Sequence, residues 1–379
     1  MRLGVINHHG RSPAGSEFSL LYYLSSLPPE IEPRMFLFEE GRFAEMCRER
    51  YRTVVLPMSE RVAESTRGSF GLGAIGDAAQ LSYRLSRALK AERIDGVLTN
   101  SVKAHFVGLP AARINGLPCI VYLHDVLRGS AGNILRRLAG ACGKSALACS
   151  KLAAESLGFK DATIVYSPIE IEPFLHLPEK GEARRTFGIP EDGLPVVGLV
   201  GRIAPWKGQD RFLRIAARTL RRQRAHFAIV GSAIFGCDPA YPSELRALAE
   251  RLGIAGSVHF IPWQTDLSSA YAALDVACNC SEAEPFGRTT VEAMAASLPV
   301  LCFADAGVCE VFTDQRSGYQ IETYDEEAFA DGLSRLLADA SLRARFGAEA
   351  RSEADRLQVA HLAPRFVNAV AAAMRRSDS

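Results

Sequence analysis

Two glutamates separated by seven residues, Glu284 and Glu292, form a pair that could bind a polyhydroxylated ligand. They lie in the run SEAEPFGRTTVEAMAASLP, between two apolar stretches at 274–278 and 300–303 that predict buried strands. Good helix formers at 289–296 predict a helix, which places Glu284 in the preceding loop and Glu292 about one turn inside the helix. Carboxylates in these positions could accept hydrogen bonds from sugar hydroxyls.

The loop between the two glutamates adds a place for an anion. Gly287 allows the backbone to approach a ligand closely. The N–H groups of Arg288, Thr289 and Thr290 begin the predicted helix without partners inside it, at the positive end of the helix dipole. A nucleotide sugar needs this set, because it carries ribose and hexose hydroxyls on either side of a diphosphate. The alternative is a pair of glutamates that only begin a helix and face solvent, and the Pro-Phe-Gly loop with its flanking apolar strands favours the ligand site.

The run EPFGRTTVEAMA resembles the E-x7-E motif of retaining glycosyltransferases with the GT-B fold, in particular glycosyltransferase family 4, also called group 1. The resemblance implies transfer of a sugar from a nucleotide diphosphate donor with retention of the anomeric configuration. It implies that Glu284 binds donor-sugar hydroxyls, that Glu292 binds the ribose, and that the loop with Phe286 belongs to the donor site. The family often has glycine where this chain has Ser297.

A second pair of candidate residues, Arg202 and Lys207, is far from the glutamates in sequence. Both follow the apolar run 196–200 and precede a predicted helix at 209–223, so they lie at the carboxyl end of a strand, where open α/β sheets bind ligands. Arginine can bind phosphate bidentately, and lysine acts as a point charge. Taken alone, these residues could equally be solvated surface cations. The run VVGLVGRIAPWKG, however, resembles the family's G-R-x4-K-G segment, which implies that both cations hold the donor diphosphate and stabilise the leaving group.

In the first half of the chain, a histidine and a short loop are candidates. His124 directly follows the strand predicted at 119–123, and a purely structural histidine is the alternative. The resemblance implies a histidine at this strand end near the reacting carbon of the donor sugar. Gly15-Ser16-Glu17 partly matches the family's glycine-rich first loop, which implies that the backbone of Gly15 lies near the donor phosphate and that Ser16 and Glu17 lie on the acceptor side.

The resemblance also implies that the nucleotide base is bound after the strand predicted at 258–261. Trp263, Gln264 and Asp266 lie there and are the candidates for these contacts. No Asp-x-Asp pair is placed to hold a metal, and the cations of the G-R-x4-K-G segment make a metal dispensable. We therefore expect no metal site and no cofactor besides the nucleotide sugar.

Strands and helices alternate along the 379 residues, which predicts an α/β protein with two domains. The resemblance implies the GT-B architecture, with two facing Rossmann-like domains, parallel sheets and an interdomain cleft. We predict an N-terminal acceptor-binding domain at 1–170 and a C-terminal nucleotide-sugar domain at 171–360. The terminal helix, within 361–379, is expected to pack back onto the first domain.

Composition limits the possible partners. The net charge of +1 predicts no nucleic-acid partner. Residues 1–170 are more basic, with 21 Lys and Arg against 16 Asp and Glu, so peripheral contact with an anionic membrane or lipid-linked acceptor is one interpretation and a solvated basic face is the other. Nine scattered cysteines without a C-x-x-C pair predict a reduced, cytoplasmic protein. We expect no signal peptide, and the printed sequence has no apolar run of the ~18–20 residues that a membrane span requires.

These observations predict a retaining, metal-independent hexosyltransferase. Its donor would be a UDP-, GDP- or ADP-hexose, and its acceptor a glycan or lipid-linked hydroxyl in surface polysaccharide or glycolipid synthesis. Three alternatives stay open: a nucleotide-sugar epimerase or a phosphorylase of the same fold, and a non-catalytic partner subunit of a glycosyltransferase. An oxidoreductase is disfavoured because the loop after the first predicted strand lacks the dinucleotide fingerprint G-x-G-x-x-G. The sequence does not predict the oligomeric state.

Overall fold

The computed structural model describes residues 1–11, 13–64, 72–127, 129–142, 145–233, 239–264 and 266–375. The chain forms two compact units. The first unit contains residues 1–168 together with the segment from residue 359 onwards, and the second contains residues 169–358. The sequence places the domain boundary at nearly the same position, and the binding roles of the two domains stay predictions.

The first unit is built on a parallel sheet with the strand order β3-β2-β1-β4-β5-β6-β7. Its strands are short, and the central ones are mostly buried apolar runs, as expected of parallel strands covered on both faces. They are β1 (Arg2–Asn7), β2 (Glu32–Leu37), β3 (Arg52–Val55), β4 (Gly96–Thr99), β5 (Cys119–Leu123), β6 (Ser145–Ala148) and β7 (Thr163–Ile164). Its helices are α1 (Gly15–Ser25), α2 (Arg42–Arg48), α3 (Glu60–Glu64), α4 (Leu72–Ala91), α5 (Val102–Ile114), α6 (Gly129–Cys142), α7 (Lys151–Ser156) and a C-terminal helix (Val359–Arg375).

The order of these strands places polar residues side by side at one edge of the sheet. β4 pairs with both β1 and β5, and Thr99 of β4 has partners in each neighbour. Asn7 ends β1, Asn100 follows β4 and His124 follows β5. All three therefore lie at the carboxyl edge of adjacent strands, which is the ligand-binding edge of open α/β sheets.

The C-terminal helix contributes to the core of the first unit. Phe366 is fully buried and stacks on Tyr23, with ring centroids 4.7 Å apart. Its centroid is 6.0 Å from that of Tyr122, whose hydroxyl donates to the carbonyl oxygen of Val165 at 2.9 Å. Aromatic burial of this extent is the dominant stabilising contribution in a core.

The second unit is built on a parallel sheet with the strand order β10-β9-β8-β11-β12-β13. Its strands are β8 (Val196–Val200), β9 (His226–Val230), β10 (Val258–Ile261), β11 (Val276–Asn279), β12 (Val300–Phe303) and β13 (Gly318–Ile321). Its helices are α8 (Lys180–Thr186), α9 (Gln209–Leu220), α10 (Tyr241–Arg251), α11 (Ser268–Ala272), α12 (Arg288–Ala295), α13 (Glu326–Ala338) and α14 (Ala340–Asp355).

The sequence does not predict α8 or β13, and it places the start of β11 two residues too early. α8 carries few apolar residues and is held to the sheet by charge. The carboxylate of Asp275 lies 2.7 Å from Nζ of Lys180 and 2.5 Å from Nη2 of Arg184, and it accepts from the Val196 N–H at 2.7 Å. Burial alone would raise the pKa of Asp275, but Lys180 and the other donors hold it below the usual range. Asp275 thus ends the turn before β11 instead of beginning the strand.

A close backbone contact joins the end of α12 to α14. Ser297 has a left-handed φ of 58°, at the turn position where the resembled family often has glycine. Its carbonyl oxygen lies so near Gly347 of α14 that a Cβ on Gly347 would be 2.1 Å away. Neither backbone can yield cheaply, so only glycine fits at this crossing.

We expect Gly347→Ala to lower the free energy of unfolding by about 2–3 kcal/mol, because the added methyl group overlaps a backbone carbonyl. Gly140→Ala on α6 is the matched control, since a Cβ there meets no atom within 4 Å. Removing a helical glycine should leave stability equal or raise it by up to about 1 kcal/mol. Urea unfolding followed by circular dichroism measures both, and a Gly347→Ala protein as stable as the wild type would contradict the packing.

His105 on α5 gives the first unit a defined acid sensitivity. Its Nδ1 lies 2.8 Å from Oγ1 of Thr99, and its side chain is buried. Burial, followed by the nearby His124, lowers the pKa of His105 to about 3 from the ordinary 6.5. The unfolded chain therefore binds more protons than the folded chain between these values, so the stability contribution is present above pH 6.5 and is lost as the pH falls towards 3.

We therefore expect His105→Asn, which keeps a polar group but does not titrate, to weaken the acid dependence of stability. Between pH 6.5 and 5.5 the histidine accounts for a loss of about 1 kcal/mol. Urea unfolding at several pH values in this window, above the range of ordinary carboxylates, measures the slope. An unchanged slope in His105→Asn would contradict the assignment.

Candidate active site

The second unit brings Lys207 and Glu284 into contact at the carboxyl edge of its sheet. Lys207 lies in the loop after β8 and Glu284 in the loop after β11, and these two strands are neighbours. Nζ of Lys207 is 2.5 Å from Oε2 of Glu284, and the side chains are only 15% and 7% exposed. Removing either partner of a pair so shielded would leave an uncompensated charge. Two residues that the sequence assigns to separate strand ends thus form one charged centre.

Gly208, which follows Lys207, allows the two loops to touch. Its φ is a left-handed 70°, and a Cβ on it would be 2.0 Å from the carbonyl oxygen of Cys280. Beside it, the N–H of Glu282 donates to the carbonyl oxygen of Trp206 at 2.7 Å. The glycine of the G-R-x4-K-G segment is therefore required by close backbone packing.

Trp206 is a site residue that the sequence reasoning missed. Nζ of Lys207 lies 4.3 Å from the centroid of its ring, and Cζ of Arg202 lies 5.7 Å from it. Cation–π attraction from one ring therefore orients both cations. The signal that could have found it is an aromatic residue directly before the lysine, inside a segment with two candidate cations.

Arg202 is positioned through its backbone. Its carbonyl oxygen accepts from Nε2 of Gln209 at 2.9 Å, and Oε1 of the same fully buried side chain accepts from the N–H of Ala204 at 3.4 Å. Among the residues that the structure describes, the guanidinium of Arg202 has no hydrogen bond or ion pair, only the tryptophan ring. It is therefore available to an anion.

The loop that carries Glu284 is tied to the loop after β12. The N–H of Gly307 donates to the carbonyl oxygen of Glu284 at 2.7 Å. Gly287 has a φ of 91°, and a Cβ on it would lie 3.2 Å from Cβ of Val308. Phe286 is buried. Backbone geometry, rather than a flexible side chain, therefore sets the position of the first glutamate.

α12 begins at Arg288, with the left-handed Gly287 before it. The N–H of Thr290 donates to the carbonyl oxygen of Gly287 at 2.9 Å, so the prediction that Thr290 offers an unpartnered N–H is wrong. The reason is that the first turn closes tightly on this glycine. The Thr290 hydroxyl accepts from Nδ2 of Asn279 at 3.0 Å. Thr290 therefore does not offer its N–H to the predicted anion site, and the assignment of Arg288 and Thr289 to that site stays a prediction.

Glu292 is held by two donors and keeps room for more. Its Oε1 accepts from Nε of Arg288 at 3.0 Å. Its Oε2 lies 3.1 Å from the Tyr271 hydroxyl, whose one hydrogen is shared with the carbonyl oxygen of Thr289 at 2.9 Å. Burial, and then the charge of Glu292, raise the pKa of Tyr271 well above its usual value, so this phenol stays protonated. A carboxylate has about four lone-pair positions, so about two are left for ligand hydroxyls.

The three residues predicted to contact the base differ in whether their side chains already form hydrogen bonds within the protein. Asp266 accepts hydrogen bonds from the N–H and the hydroxyl of Ser268 at 2.9 and 2.8 Å. Its carboxylate is therefore bound to the first residue of α11. Gln264 donates from Nε2 to the carbonyl oxygen two residues earlier at 2.9 Å. Trp263 is 46% exposed and presents a large apolar ring at the end of β10.

In the first unit, His124 ends a chain of hydrogen bonds that reaches α1. Nε2 of His124 lies 2.9 Å from Oδ1 of Asn100, Nδ2 of Asn100 donates to Oδ1 of Asn7 at 3.3 Å, and Nδ2 of Asn7 donates to Oε1 of Glu17 at 3.2 Å. Burial lowers the pKa of His124 to about 3, so the ring is neutral at pH 7. The sequence reasoning found both ends of this chain and missed both asparagines, whose signal is an amide directly at a strand end.

The other first-loop candidates surround Glu17. Gly15 is the first residue of α1. The hydroxyl of Ser16 donates to Oε2 of Glu17 at 2.9 Å, and the N–H of Ala14 donates to the same oxygen at 3.1 Å. Glu17 is 1% exposed, so its carboxylate is engaged by protein donors.

Within the described ranges, no three His, Cys, Asp or Glu side chains are grouped so that they could hold a metal ion. None of the helices found there combines the length and the apolar character needed to cross a bilayer.

Residues 180–353 match the family described as Glycosyl transferases group 1. The D-inositol 3-phosphate glycosyltransferase of Salinispora arenicola is 38% identical over 178 residues, which cover 45% of this chain and 40% of that protein. The enzyme of the same name from Stackebrandtia nassauensis is 34% identical over 221 residues, covering 56% and 49%. The chain thus spans less than half the length of each of these curated relatives.

Solved structures resemble the chain over nearly its whole length. HepE from Anabaena, in complex with UDP and glucose, has a TM-score of 0.82 at 23% identity, covering 98% of this chain and 99% of that one. WaaG, a glycosyltransferase involved in lipopolysaccharide biosynthesis, has a TM-score of 0.72 at 18% identity, covering 97% and 98%. These likenesses show the fold. The chain has the GT-B fold, and its residues 180–353 are similar to the group 1 glycosyl transferases.

Proposed function

We propose that this protein is a retaining glycosyltransferase that moves a hexose from a nucleotide-diphosphate hexose to an acceptor hydroxyl without a metal ion. The observation that carries the proposal is the contact between Lys207 and Glu284, which sets a cation for the donor diphosphate against a carboxylate for the donor sugar. The family match of residues 180–353 supports the same function.

The diphosphate is bound by Arg202, Lys207 and the first turn of α12 at Arg288 and Thr289, with Gly287 allowing close approach. As the bond from the anomeric carbon to the phosphate oxygen breaks, negative charge grows on the departing diphosphate. Cations already oriented by Trp206 stabilise that charge without reorganisation, which is why a metal is dispensable. The acceptor oxygen attacks the same face, and its proton passes to the leaving phosphate oxygen.

The hydroxyl groups are read by the two glutamates. Glu292 binds the ribose with the acceptor positions left by its two protein donors. Glu284 binds hydroxyls of the transferred hexose, beside the buried Phe286. The exposed ring of Trp263 stacks on the base, with Gln264 and Asp266 beside it.

For the first unit, the proposal keeps the roles that the resemblance implies. His124 contacts the donor sugar near the reacting carbon, the backbone of Gly15 lies by the phosphate, and Ser16 and Glu17 belong to the acceptor side. A neutral His124 suits this role, because an uncharged ring keeps a nitrogen lone pair that can accept a hydrogen bond from a sugar hydroxyl.

Among UDP-, GDP- and ADP-hexoses, a uridine donor is our first choice, since HepE was crystallised with UDP and with UDP-glucose. For the acceptor we propose a glycan or lipid-linked hydroxyl of surface polysaccharide or glycolipid synthesis. A phosphorylated polyol is the second candidate, because the curated relatives are named for inositol 3-phosphate. The free thiols of the described cysteines support a reducing, cytoplasmic location, with peripheral membrane contact as a further proposal.

We expect one nucleoside diphosphate of the set UDP, GDP and ADP to bind and stabilise the protein, by about 2.7 kcal/mol at a hundredfold excess over its Kd. Glu292→Gln should weaken its binding about 10-fold or more, because the ribose loses a charged acceptor. Isothermal titration calorimetry measures the affinity. Glu349→Gln is the matched control, since Glu349 forms an ion pair with Arg316, whose side chain is 60% exposed.

If none of the three nucleotides binds to the folded protein, the transferase proposal is wrong and the non-catalytic partner subunit is favoured. If the nucleotide binds but the hexose is altered without any acceptor, the epimerase is favoured. If turnover requires inorganic phosphate, the phosphorylase is favoured.

Glu284→Gln should separate binding from transfer. Losing the carboxylate releases Lys207 from its ion pair, so the nucleoside diphosphate should bind about 3- to 10-fold more tightly. Transfer from the nucleotide sugar should fall about 10²- to 10³-fold, because the hexose loses its anchor. Lys207→Met should lose both binding and transfer. Weaker nucleotide binding by Glu284→Gln would contradict the assignment of the pair.

A further inference from the structure

The hydrogen-bond chain of the first unit has a direction that its own chemistry dictates. An ionised Glu17 carboxylate only accepts hydrogen bonds, so Asn7 must turn Nδ2 towards it. The same Nδ2 donates to the carbonyl oxygen of His9 at 3.1 Å, which fixes this amide independently. Oδ1 of Asn7 then faces Asn100, so Asn100 must donate from Nδ2 and present Oδ1 to His124.

We infer that Asn100, oriented by Asn7 and Glu17, holds His124 as the neutral tautomer with the proton on Nε2, so that Nδ1 accepts a hydrogen bond from a substrate hydroxyl. The inference deepens the proposed function and rests on it for the identity of the ligand as a sugar. Asn7 and Asn100 are positioning residues, since they act through His124.

An amide in this position has a different effect from a carboxylate. A carboxylate on Nε2 would stabilise the imidazolium ion, whereas the amide oxygen of Asn100 fixes the proton without adding charge. The titratable groups near His124 include Tyr122, whose ring centroid lies 4.0 Å away, and His105 on α5, itself neutral at pH 7. They also include Glu17, which is reached through two amides, and the adjacent Asp125. Nδ1 of His124 has no hydrogen bond to any residue that the structure describes.

A histidine held in this way has one function towards a sugar. With Nε2–H committed to Asn100, the remaining ring nitrogen carries a lone pair and can only accept. A hydroxyl group must therefore donate to it, which excludes a role for His124 as a cation that stabilises the leaving diphosphate. The other tautomer would present N–H at this position, so the substrate hydroxyl would have to turn and accept instead of donating.

The tautomer is measured directly by long-range ¹H–¹⁵N correlation spectra of ¹⁵N-histidine-labelled protein at pH 7, with His124 assigned through His124→Gln. We expect a protonated Nε2 and a bare Nδ1 in the wild type, and a mixture of tautomers in Asn100→Ala. Asn115→Ala, which removes an amide bonded to backbone carbonyls of the same unit, should leave the His124 signals unchanged. Protonated Nδ1 in the wild type, or the same single tautomer in Asn100→Ala, would overturn the inference.

Asn100→Asp tests the same point if the alanine variant does not fold. Its carboxylate should turn His124 into an imidazolium at pH 7, with both nitrogens protonated, while a ring that stays neutral would count against the contact.

In transfer assays, Asn100→Ala should lower kcat about 10- to 100-fold with little change in nucleotide affinity. Wild-type kcat in Asn100→Ala would overturn the substrate contact. A wild type that transfers no sugar would overturn the proposed function, whereas the spectra decide the tautomer alone.

Discussion

The contact between Lys207 and Glu284 is the interaction on which the candidate site of the second unit depends. It joins loops that follow two neighbouring strands, and it is possible because Gly208 lets those loops meet at a distance where no side chain fits. Each charge is shielded from water and is compensated by the other. Trp206 then aligns the lysine with Arg202, so a single centre combines a paired cation and an available one.

In the first unit, neutral amide groups instead of an ion pair position the candidate residue His124. Two asparagines connect the carboxylate of Glu17 to His124, and each bond has only one possible direction once the carboxylate is ionised. Burial keeps the histidine uncharged. Each unit therefore places its candidate residues at the carboxyl edge of its own sheet. The second unit concentrates charge there that suits phosphate, and the first presents an uncharged, oriented ring that suits a hydroxyl.

Both arrangements follow from parallel sheets. In such a sheet all carboxyl ends lie at one edge, so residues distant in sequence become neighbours when their strands are adjacent. Lys207 and Glu284 meet because β8 lies beside β11, and Asn7, Asn100 and His124 meet because β4 lies between β1 and β5. The glycines at 208 and 287, both with left-handed φ, allow the loops to leave the strands at these angles.

The sequence by itself determined the α/β class and the bounds of β5, β8, β10 and β12, because apolar runs and the residues that end them are local signals. It also selected Arg202, Lys207, Glu284 and Glu292 through their motifs. Only the tertiary structure decided which residues touch: the ion pair, the ring of Trp206 near two cations, the amide chain to His124 and the hydrogen-bonded N–H of Thr290. The physical reason is that such contacts depend on strand order and on the exact path of loops, and neither is encoded in the spacing of nearby residues.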